Sequence, residues 1–363
     1  MIPLLVDLET EWRGGQNQFL LLLKGLYERG HAAELLTAKG SLLGHRASKA
    51  SICVHYTSRD RLRLTAAVKM RELMSDGRFD LVHVNESHAL TAAWLARTHR
   101  RVPLMISRRV GYPLRQNYFS RARFGAASQI IANSNWVAEQ AIASGAAREK
   151  VTVIYEGVET PQHSNVEMRV ELRDMVRAEW GVAGSEQLLG CAGVLLQDKG
   201  QEWAIRALAQ VRDEFPNCRL LLAGDGAHRP QLEALVQELQ LQDVVIFAGF
   251  LRNMEAFYRA LDVFIFPALF EGLGTSLLAA MAYGIPSITY FGCALGEIVD
   301  NGKNALQVEP RNPDALASAI RSLFQDKPLA AQLGAAGREK VERVFSAERM
   351  VDETIRLYRE VSA

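Results

Sequence analysis

Cysteine is scarce in this chain of 363 residues, and the few cysteines lie far apart. The four stand at positions 53, 191, 218 and 293, and no two of them form a C-x-x-C pair. This spacing argues against a disulfide framework and a cysteine-based zinc site, and it indicates reduced thiols in a cytosolic setting. The N-terminal sequence MIPLLVDLETEW lacks the basic start of a signal peptide, and no apolar run has membrane-spanning length. We therefore expect a cytoplasmic protein.

Several catalytic motifs are missing as well. There is no G-x-S-x-G, no H-E-x-x-H, no P-loop and no clustered set of His, Cys and Asp. Their absence argues against a serine hydrolase, a zinc enzyme and a Walker-type NTPase. The net charge is only +1, from 42 basic and 41 acidic residues, which argues against a strongly basic nucleic-acid-binding protein.

Acidic residues are absent from one long window, residues 87–138. The same window contains eight arginines: Arg97, Arg100, Arg101, Arg108, Arg109, Arg115, Arg121 and Arg123. One interpretation is a solvated basic face. The other is a surface for an anionic acceptor or for anionic lipid headgroups.

Strand patterns alternate with helix patterns along the whole chain, which predicts an α/β protein with parallel sheets. The predicted strands are 2–8, 33–37, 52–56, 81–85, 104–107, 129–132, 151–155, 188–194, 219–223, 244–248, 263–266, 287–290 and 305–308. The predicted helices are 16–29, 61–76, 89–97, 136–144, 202–215, 229–239, 254–260, 276–283, 313–325, 330–345 and 347–362. A polar break at 159–184 separates two such series, so we predict two doubly wound domains whose strand ends face a common cleft.

Residues 262–286, DVFIFPALFEGLGTSLLAAMAYGIP, form the most informative segment. They predict a buried strand that ends at Pro267, a glycine-bearing loop, and a helix capped by Thr275 or Ser276. Free N–H groups at such a helix start attract an anion. Glu271 stands at the same place and can accept hydrogen bonds from sugar hydroxyls. The combination indicates a phosphorylated sugar as the ligand.

Two further loops contain residues suited to an anionic ligand. Gly14 and Gly15 follow the first strand and open a helix, either as a plain tight turn or as a place where the backbone approaches a ligand. Lys199 follows the first strand of the second half. It is either a solvated loop lysine or the point charge that neutralises a diphosphate leaving group.

Other strand ends carry residues with two possible uses. Phe250 is either a core aromatic or a neighbour of a nucleotide base, and His83 is either a structural or a catalytic histidine. In the predicted first domain, Asn85 and Glu86 follow one strand and Arg108 and Arg109 close another. We expect one of these arginines to contact a ligand.

In combination, these motifs resemble the family 4 retaining glycosyltransferases, which have the GT-B fold of two facing Rossmann-like domains. The resemblance covers nearly the whole chain, and its parts occur in the family's order. They are Gly14-Gly15, Asn133-Ser134, the VIYEGV junction at 153–158, Lys199-Gly200, Gly224-Asp225-Gly226, Gly249-Phe250, the strand 262–267, Glu271-Gly272-Leu273-Gly274 and AMAYGIP at 280–286.

The resemblance implies an acceptor domain, residues 1–160 with a returning helix 346–363, and a donor domain, residues 161–345. It implies catalytic roles for Glu271, on the donor sugar, and for Lys199, on the diphosphate. The implied donor-binding residues are Gly15, Val194, Phe250, Leu273, Gly274 and Thr275. The acceptor-binding set at the ends of the first-domain strands is Arg108, Asn85 and Glu86. No metal or other cofactor is required in this family.

Three departures from the family pattern concern nucleotide and diphosphate binding. Ala279 occupies the place of a ribose-binding glutamate, and Val194 occupies the place of an arginine that binds the diphosphate. Each lost polar contact is worth ~1.5–3 kcal/mol. In the family, the strand that here ends in Ser107-Arg108-Arg109 often ends in histidine. Arg108 or Arg109 would supply the diphosphate-binding charge that Val194 lacks. Arg109 is the third expected catalytic residue.

The expected function is metal-independent, retaining transfer of a sugar from a nucleoside-diphosphate sugar to a glycan or glycolipid acceptor, as in synthesis of lipopolysaccharide core or cell-surface polysaccharide. The expected partners are this donor, an anionic acceptor and an anionic membrane surface at the inner face of the cell membrane, but not nucleic acid. Two alternatives remain open. One is a sugar epimerase or phosphorylase on the same fold, and the other is a non-catalytic sugar-nucleotide binder.

Overall fold

The computed structural model describes residues 1–58, 60, 63–161 and 166–362. It divides into two compact units, Met1–Gly157 with Phe345–Ala363, and Val158–Val344. Three parts of the predictions lie outside the described residues: the first two residues of the predicted helix 61–76, residues 162–165 of the polar break, and residue 363 of the returning helix.

The first unit is built on a seven-stranded parallel sheet in the order β3-β2-β1-β4-β5-β6-β7. Its strands are β1 (Pro3–Asp7), β2 (Glu34–Ala38), β3 (Cys53–Thr57), β4 (Leu81–Val84), β5 (Leu104–Arg108), β6 (Gln129–Ala132) and β7 (Val151–Val153). The helices between them are α1 (Gly14–Glu28), α2 (Leu42–Lys49), α3 (Leu64–Leu73), α4 (Ser87–Ala96), α5 (Tyr118–Gly125) and α6 (Asn135–Ala143). Every residue of the central strands β1 and β4 is buried, as a parallel sheet covered on both faces requires.

The second unit repeats this plan with a six-stranded parallel sheet in the order β10-β9-β8-β11-β12-β13. Its strands are β8 (Gln187–Ala192), β9 (Cys218–Ala223), β10 (Val245–Gly249), β11 (Val263–Phe266), β12 (Ser287–Tyr290) and β13 (Leu306–Val308). Its helices are α7 (Val166–Glu179), α8 (Gln201–Val211), α9 (Arg229–Glu238), α10 (Met254–Ala260), α11 (Thr275–Ala282), α12 (Leu295–Ile298), α13 (Pro313–Gln325) and α14 (Lys327–Val344).

The last helix, α15 (Ala347–Ser362), returns to the first unit, as predicted, and packs against α1. Its apolar face, which includes Met350, Val351 and Tyr358, is buried. A Cβ at Gly25 of α1 would lie 2.5 Å from Val351 Cγ2, so the two helices meet this closely because position 25 is glycine.

Three short helices, α2, α5 and α12, were not predicted. Two of them begin at side-chain caps: Ser41 accepts a hydrogen bond from the Gly44 N–H at 3.3 Å, and Asn117 accepts one from the Ser120 N–H at 2.8 Å. Their sequences lack a clear apolar period, so the cap and the tertiary contacts determine whether these helices form.

Each sheet has one point where the strand order reverses direction. It lies between β1 and β4 in the first unit and between β8 and β11 in the second. In doubly wound sheets, ligands bind outside the carboxyl ends of the strands at such a point. The candidate residues lie at the ends of these four strands, of β5, which pairs with β4, and of the edge strand β10.

Candidate functional site

In the second unit, the loops that follow β8 and β11 are joined by an ion pair between Lys199 and Glu271. Lys199 Nζ lies 2.6 Å from Glu271 Oε2 and 3.3 Å from the carbonyl oxygen of Phe270. The backbones of the two loops also meet, because the Leu269 N–H donates to the Asp198 carbonyl at 2.8 Å. About a quarter of each charged side chain remains exposed, 24% for Lys199 and 23% for Glu271, so both can reach a ligand.

Glycines allow these strand-end loops to pack backbone against backbone. Gly224, after β9, has φ +136°, and a Cβ there would lie 1.9 Å from the carbonyl oxygen of Gly193. Gly200, after Lys199, has φ +70°, and a Cβ there would lie 2.1 Å from the carbonyl oxygen of Pro267. No side chain fits at either position, so the main chain itself forms this edge of the sheet.

The start of α11 differs from the prediction that Thr275 or Ser276 caps it. Gly274 is the N-cap residue, with φ +106°, and as a glycine it has no side chain to cap the first turn. Thr275 is already the first helical residue, and the side chain of Leu273 is buried in the apolar interior. The first turn also contains no acidic residue. The N–H groups of this turn, at the positive end of the helix dipole, are therefore available to bind an anion.

Three more positions around this edge bear on nucleotide binding. Phe250 follows β10 and is 57% exposed, so the core interpretation of this aromatic residue is wrong. Val194 is 42% exposed, and its carbonyl oxygen accepts a hydrogen bond from Gln201 Nε2 at 3.2 Å. Ala279 lies in the second turn of α11 and is half-buried.

The strand ends of the first unit carry a buried network of polar side chains centred on Arg109. Arg109 Nε lies 2.6 Å from Glu156 Oε1, and its Nη1 donates to Asn85 Oδ1. Asn85 Nδ2 in turn donates to Asp7 Oδ2 at 2.5 Å, and Gln16 Nε2 donates to the same oxygen at 2.8 Å. These groups hold one another in fixed positions.

Gly15 lies beside this network. It belongs to the first turn of α1, so Gly14 and Gly15 open a helix as predicted, and neither has a positive φ. A Cβ at Gly15 would lie 3.6 Å from Arg109 Cδ and 3.7 Å from Asn85 Nδ2, which is ordinary contact. The start of α1 therefore faces the guanidinium group of Arg109, and both favour an anion.

Glu86 caps helix α4. Its carboxylate accepts hydrogen bonds from the N–H groups of His88, of Ala89 at 2.8 Å and of Leu8 at 3.3 Å. Burial and the nearby charge of Asp7 raise the pKa of Glu86 to about 7, although the N–H groups of His88 and Ala89 act in the opposite direction. Burial also raises the pKa of Asp7. The predicted acceptor-binding carboxylate is thus engaged by the backbone.

His83 and Arg108 are both buried. His83 Nδ1 lies 2.6 Å from Tyr358 Oη and Nε2 lies 2.8 Å from Ser107 Oγ, so both ring nitrogens are hydrogen-bonded inside the unit. Burial, followed by the charge of Arg109, lowers the pKa of His83 to about 3. These contacts favour the structural interpretation of this histidine. Arg108 Nη2 donates to the Tyr112 carbonyl, which ties the guanidinium to the loop after β5.

Sequence reasoning gave no role to several residues of the first-unit site, namely Asp7, Glu9, Gln16 and His88. Asp7 carried a usable signal, because a carboxylate that ends a buried apolar strand needs a local partner. Gln16 and His88 carried none, because only the fold brings them to Asp7 and Glu9.

Two groups of side chains in the described part of the chain lie close enough together to hold a metal ion. They are Glu34 with Cys53 and His55, and Glu9 with Glu86 and His88. In the first group Arg78 already pairs with Glu34, and in the second Glu86 is engaged by backbone N–H groups. We assign a metal to neither group. Among the described helices, none has the length and apolarity needed to cross a membrane.

Two family models match the chain and together cover most of it. The model described as Glycosyltransferase Family 4 matches residues 12–162, and the model described as Glycosyl transferases group 1 matches residues 173–340. The first match contains Arg109 with its partners Asn85 and Glu156, and the second contains the Lys199–Glu271 pair.

Curated relatives are similar over part or most of the chain. A lipopolysaccharide core biosynthesis glycosyltransferase of Rhizobium meliloti, LpsE, is 27% identical over 73% of this chain and 74% of its own length. The 2-deoxystreptamine glucosyltransferase of Streptomyces kanamyceticus is 31% identical over 54% of this chain and 50% of its own length. A GDP-mannose-dependent phosphatidylinositol monomannoside mannosyltransferase of Mycobacterium tuberculosis is 32% identical over 48% of this chain and 46% of its own. Apart from the Rhizobium protein, the chain spans about half the length of these relatives.

Solved structures share the fold over nearly the full length. The Anabaena protein HepE, crystallised with UDP and glucose, has a TM-score of 0.85 at 21% identity and covers 98% of both chains. A glycosyltransferase from Rickettsia africae has a TM-score of 0.87 at 19% identity and covers 99% of this chain and 98% of its own. At this identity the likeness shows the fold, and that fold is GT-B.

Proposed function

Because the chain belongs to the glycosyltransferases of group 1 and family 4, we propose that it moves a sugar from a nucleoside-diphosphate sugar to a glycan or glycolipid acceptor. The observation that carries this proposal is the Lys199–Glu271 ion pair next to the uncapped start of α11. A diphosphate needs positive charge and N–H donors, whereas a sugar needs acceptors for its hydroxyl groups. This edge of the second unit offers all three within adjoining loops.

Each group has a distinct role in the proposed transfer. The first-turn N–H groups of α11 and the backbone of Leu273, Gly274 and Thr275 would hold phosphate oxygens. The ammonium group of Lys199 has three N–H donors, and two contact Glu271 and Phe270, so the third is suited to the diphosphate. Glu271 would accept hydrogen bonds from the donor sugar. These charges would stabilise the leaving diphosphate.

The reaction would retain the anomeric configuration and would need no metal. Glu271 is paired with Lys199, which favours a role in binding hydroxyl groups over one as a free nucleophile. Positive charge from Lys199 would take the place of a metal ion at the leaving group. In the first unit, Arg109 and the start of α1 at Gly15 would offer positive charge to an anionic group.

The acceptor would bind at the strand ends of the first unit, near Asn85, Glu86 and Arg108. The arginine-rich window 87–138 suits an anionic glycan or glycolipid, and it would place the enzyme at the inner face of the cell membrane. The similarity to a lipopolysaccharide core enzyme over 73% of the chain supports an acceptor of this class.

The similar proteins differ in the nucleotide that they use or bind. One relative uses GDP-mannose, while HepE was crystallised with UDP. In this chain Phe250 is exposed after β10 and suits contact with a base, and Val194 is exposed after β8 in the place of the family's arginine.

The test is release of nucleoside diphosphate from UDP-, GDP- and ADP-sugars by the purified protein and by the variants Lys199→Ala and Glu271→Gln. We expect turnover with one base, and a decrease in kcat of about 10²–10³-fold in the lysine variant. Lys340→Ala is the matched control, since Lys340 pairs with the carboxylate of Asp300 at 2.8 Å in the same unit. Binding without release would indicate a sugar-nucleotide sensor, and interconversion of the sugars would indicate an epimerase.

A further inference from the structure

Apolar side chains are unusually exposed in residues 110–123, which we name the aromatic–arginine segment. It runs from the loop after β5 into α5. Among the described residues, fourteen large hydrophobic side chains are exposed, and four of them lie within residues 110–119. Val110 is 46% exposed, Tyr112 57%, Tyr118 78% and Phe119 64%.

The segment is anchored to the first unit, so these side chains are held outward by the fold. Leu114 and Phe124 are buried in the apolar core that also contains β4 and α4 residues. A Cβ at Gly111 would lie 2.0 Å from the ring of Trp136, so the backbone sits directly on that ring. Arg108 in β5 donates to the carbonyl of Tyr112. The loop therefore has a packed inner side and an apolar outer side.

Positive charge accompanies the exposed aromatic rings. Arg115 and Arg121 are exposed, and Arg123 is partly buried beside them. Arg121 contacts the amide oxygen of Gln116 at 3.0 Å, and Arg123 contacts Thr91. In the described part of the chain, none of these three arginines has a carboxylate within ion-pair distance, and no acidic residue occurs between 87 and 138.

We propose that the aromatic–arginine segment docks the protein on an anionic phospholipid bilayer. Tyrosine and phenylalanine rings partition into the interface between headgroups and acyl chains, and arginines bind the phosphate groups above them. A second copy of the chain fits less well as the occupant, because two copies of this surface would bring like charges together. The surface thus matches a bilayer in both apolarity and charge.

The segment also adjoins the proposed acceptor site. Arg123 Nη1 lies 3.5 Å from the carbonyl of Ser87, the first residue of α4, and Glu86 caps that helix. Docking here would place the strand ends of β4 and β5 next to the membrane surface. The inference rests on the proposed function only for the identity of the lipid-linked acceptor, since membrane binding itself needs neither donor nor acceptor.

The test is co-sedimentation of the full chain with vesicles of phosphatidylcholine alone and of phosphatidylcholine mixed with phosphatidylglycerol. We expect binding to the mixed vesicles only, weakened by salt. Tyr118→Ser with Phe119→Ser should weaken this binding about tenfold, and Arg115→Gln with Arg121→Gln about twentyfold. The controls are Tyr27→Ser, at a ring 59% exposed, and Arg148→Gln, at a side chain 70% exposed, and both should bind as the unchanged protein does.

Equal binding to both kinds of vesicle, or equal loss in the control variants, would overturn the proposal. So would concentration-dependent dimerisation in size-exclusion chromatography that the Tyr118 and Phe119 variants abolish, because the segment would then bind a second copy. The release of nucleoside diphosphate in a vesicle-free assay tests the proposed function separately. A protein that turns over its donor but does not bind vesicles would contradict this inference and the proposed membrane location, and would leave the proposed sugar transfer standing.

Discussion

In both units the candidate residues lie at the carboxyl ends of the sheet strands, but the two sites consist of different chemical groups. In the second unit the edge consists of backbone, with Gly200 and Gly224 packed against carbonyl oxygens and the first turn of α11 left without a side-chain cap. In the first unit the same edge is a buried network of charged and amide side chains around Arg109. One site is shaped by main-chain geometry and the other by mutual hydrogen bonding.

This difference means that substitutions should act differently in the two units. A side chain such as Lys199 can be removed from the second-unit edge with little harm to the fold, because glycines and backbone hydrogen bonds shape it. In the first unit, each side chain completes the contacts of another, so its removal leaves a buried charge. The following three tests address this comparison, beginning with the largest expected effect.

The substitution Arg109→Ala should lower the free energy of unfolding by about 3–5 kcal/mol. It removes the cation 2.6 Å from the Glu156 carboxylate, of which only 9% of the side chain is exposed. Urea denaturation measures this quantity. Arg148→Ala is the control, because Arg148 and Glu139 are 70% and 62% exposed, and it should cost less than about 0.5 kcal/mol.

The double substitution Arg109→Met with Glu156→Gln sharpens this test, because it removes both charges together. It should recover most of the stability lost in Arg109→Ala. If the single variant is as stable as the unchanged chain, the first-unit network does not hold the fold, and the contrast between the two units disappears.

Replacement of Gly224 by alanine should cost about 2–4 kcal/mol, from a strained positive φ together with a clash against the Gly193 carbonyl. Gly249→Ala is the matched control, since Gly249 also has a positive φ, +65°, but nothing lies within 4 Å of the added Cβ. Backbone strain alone should lower the free energy of unfolding of Gly249→Ala by about 1–2 kcal/mol. Thermal unfolding of both variants compares them, and equal losses would show that backbone packing does not shape this edge.

The stability of the chain should depend on pH through Glu86. Its folded-state pKa is about 7 and its ordinary value is 4.5, so between these values the folded state holds a proton that the unfolded chain has released. The free energy of unfolding should therefore fall by up to about 3 kcal/mol as pH rises from 4.5 to 7, and should then level off. Glu86→Gln should flatten most of this slope, and a slope unchanged in that variant would assign it to Asp7 or other groups.

Much of the fold was readable because long elements have strong periodic patterns. The prediction for β6, β11, β12, α10, α13 and α15 agrees with the structure at both ends. The short helices α2 and α5 were missed because single caps, Ser41 and Asn117, and contacts with the rest of the unit outweigh their weak patterns. The predicted cap of α11, Thr275 or Ser276, lies one or two residues after the N-cap Gly274, because a glycine can occupy an N-cap in the left-handed region.

The two candidate sites could be predicted from the sequence to different degrees, because one is shaped by glycines and the other by side chains from distant positions. Glycine loops can be recognised in the sequence. Lys199, Glu271 and the start of α11 could therefore be assigned to one anion-binding site from the sequence. The partners of Arg109 come from positions 85 and 156, and those of Asp7 from 16 and 85. Sequence spacing does not say which of these distant polar residues meet.

The sequence by itself determined two α/β series, the strand ends that carry polar residues, and the glycines that only a close backbone approach explains. These are local properties, set by apolar period and by the conformational freedom of individual residues. The tertiary structure alone decided that His83 is buried and hydrogen-bonded, and that Arg109 is half-buried and paired with Glu156. It also decided that Phe250 is exposed and that the outer side of the aromatic–arginine segment is apolar. Burial and pairing depend on which distant parts of the chain meet, and therefore on the packing of the whole unit.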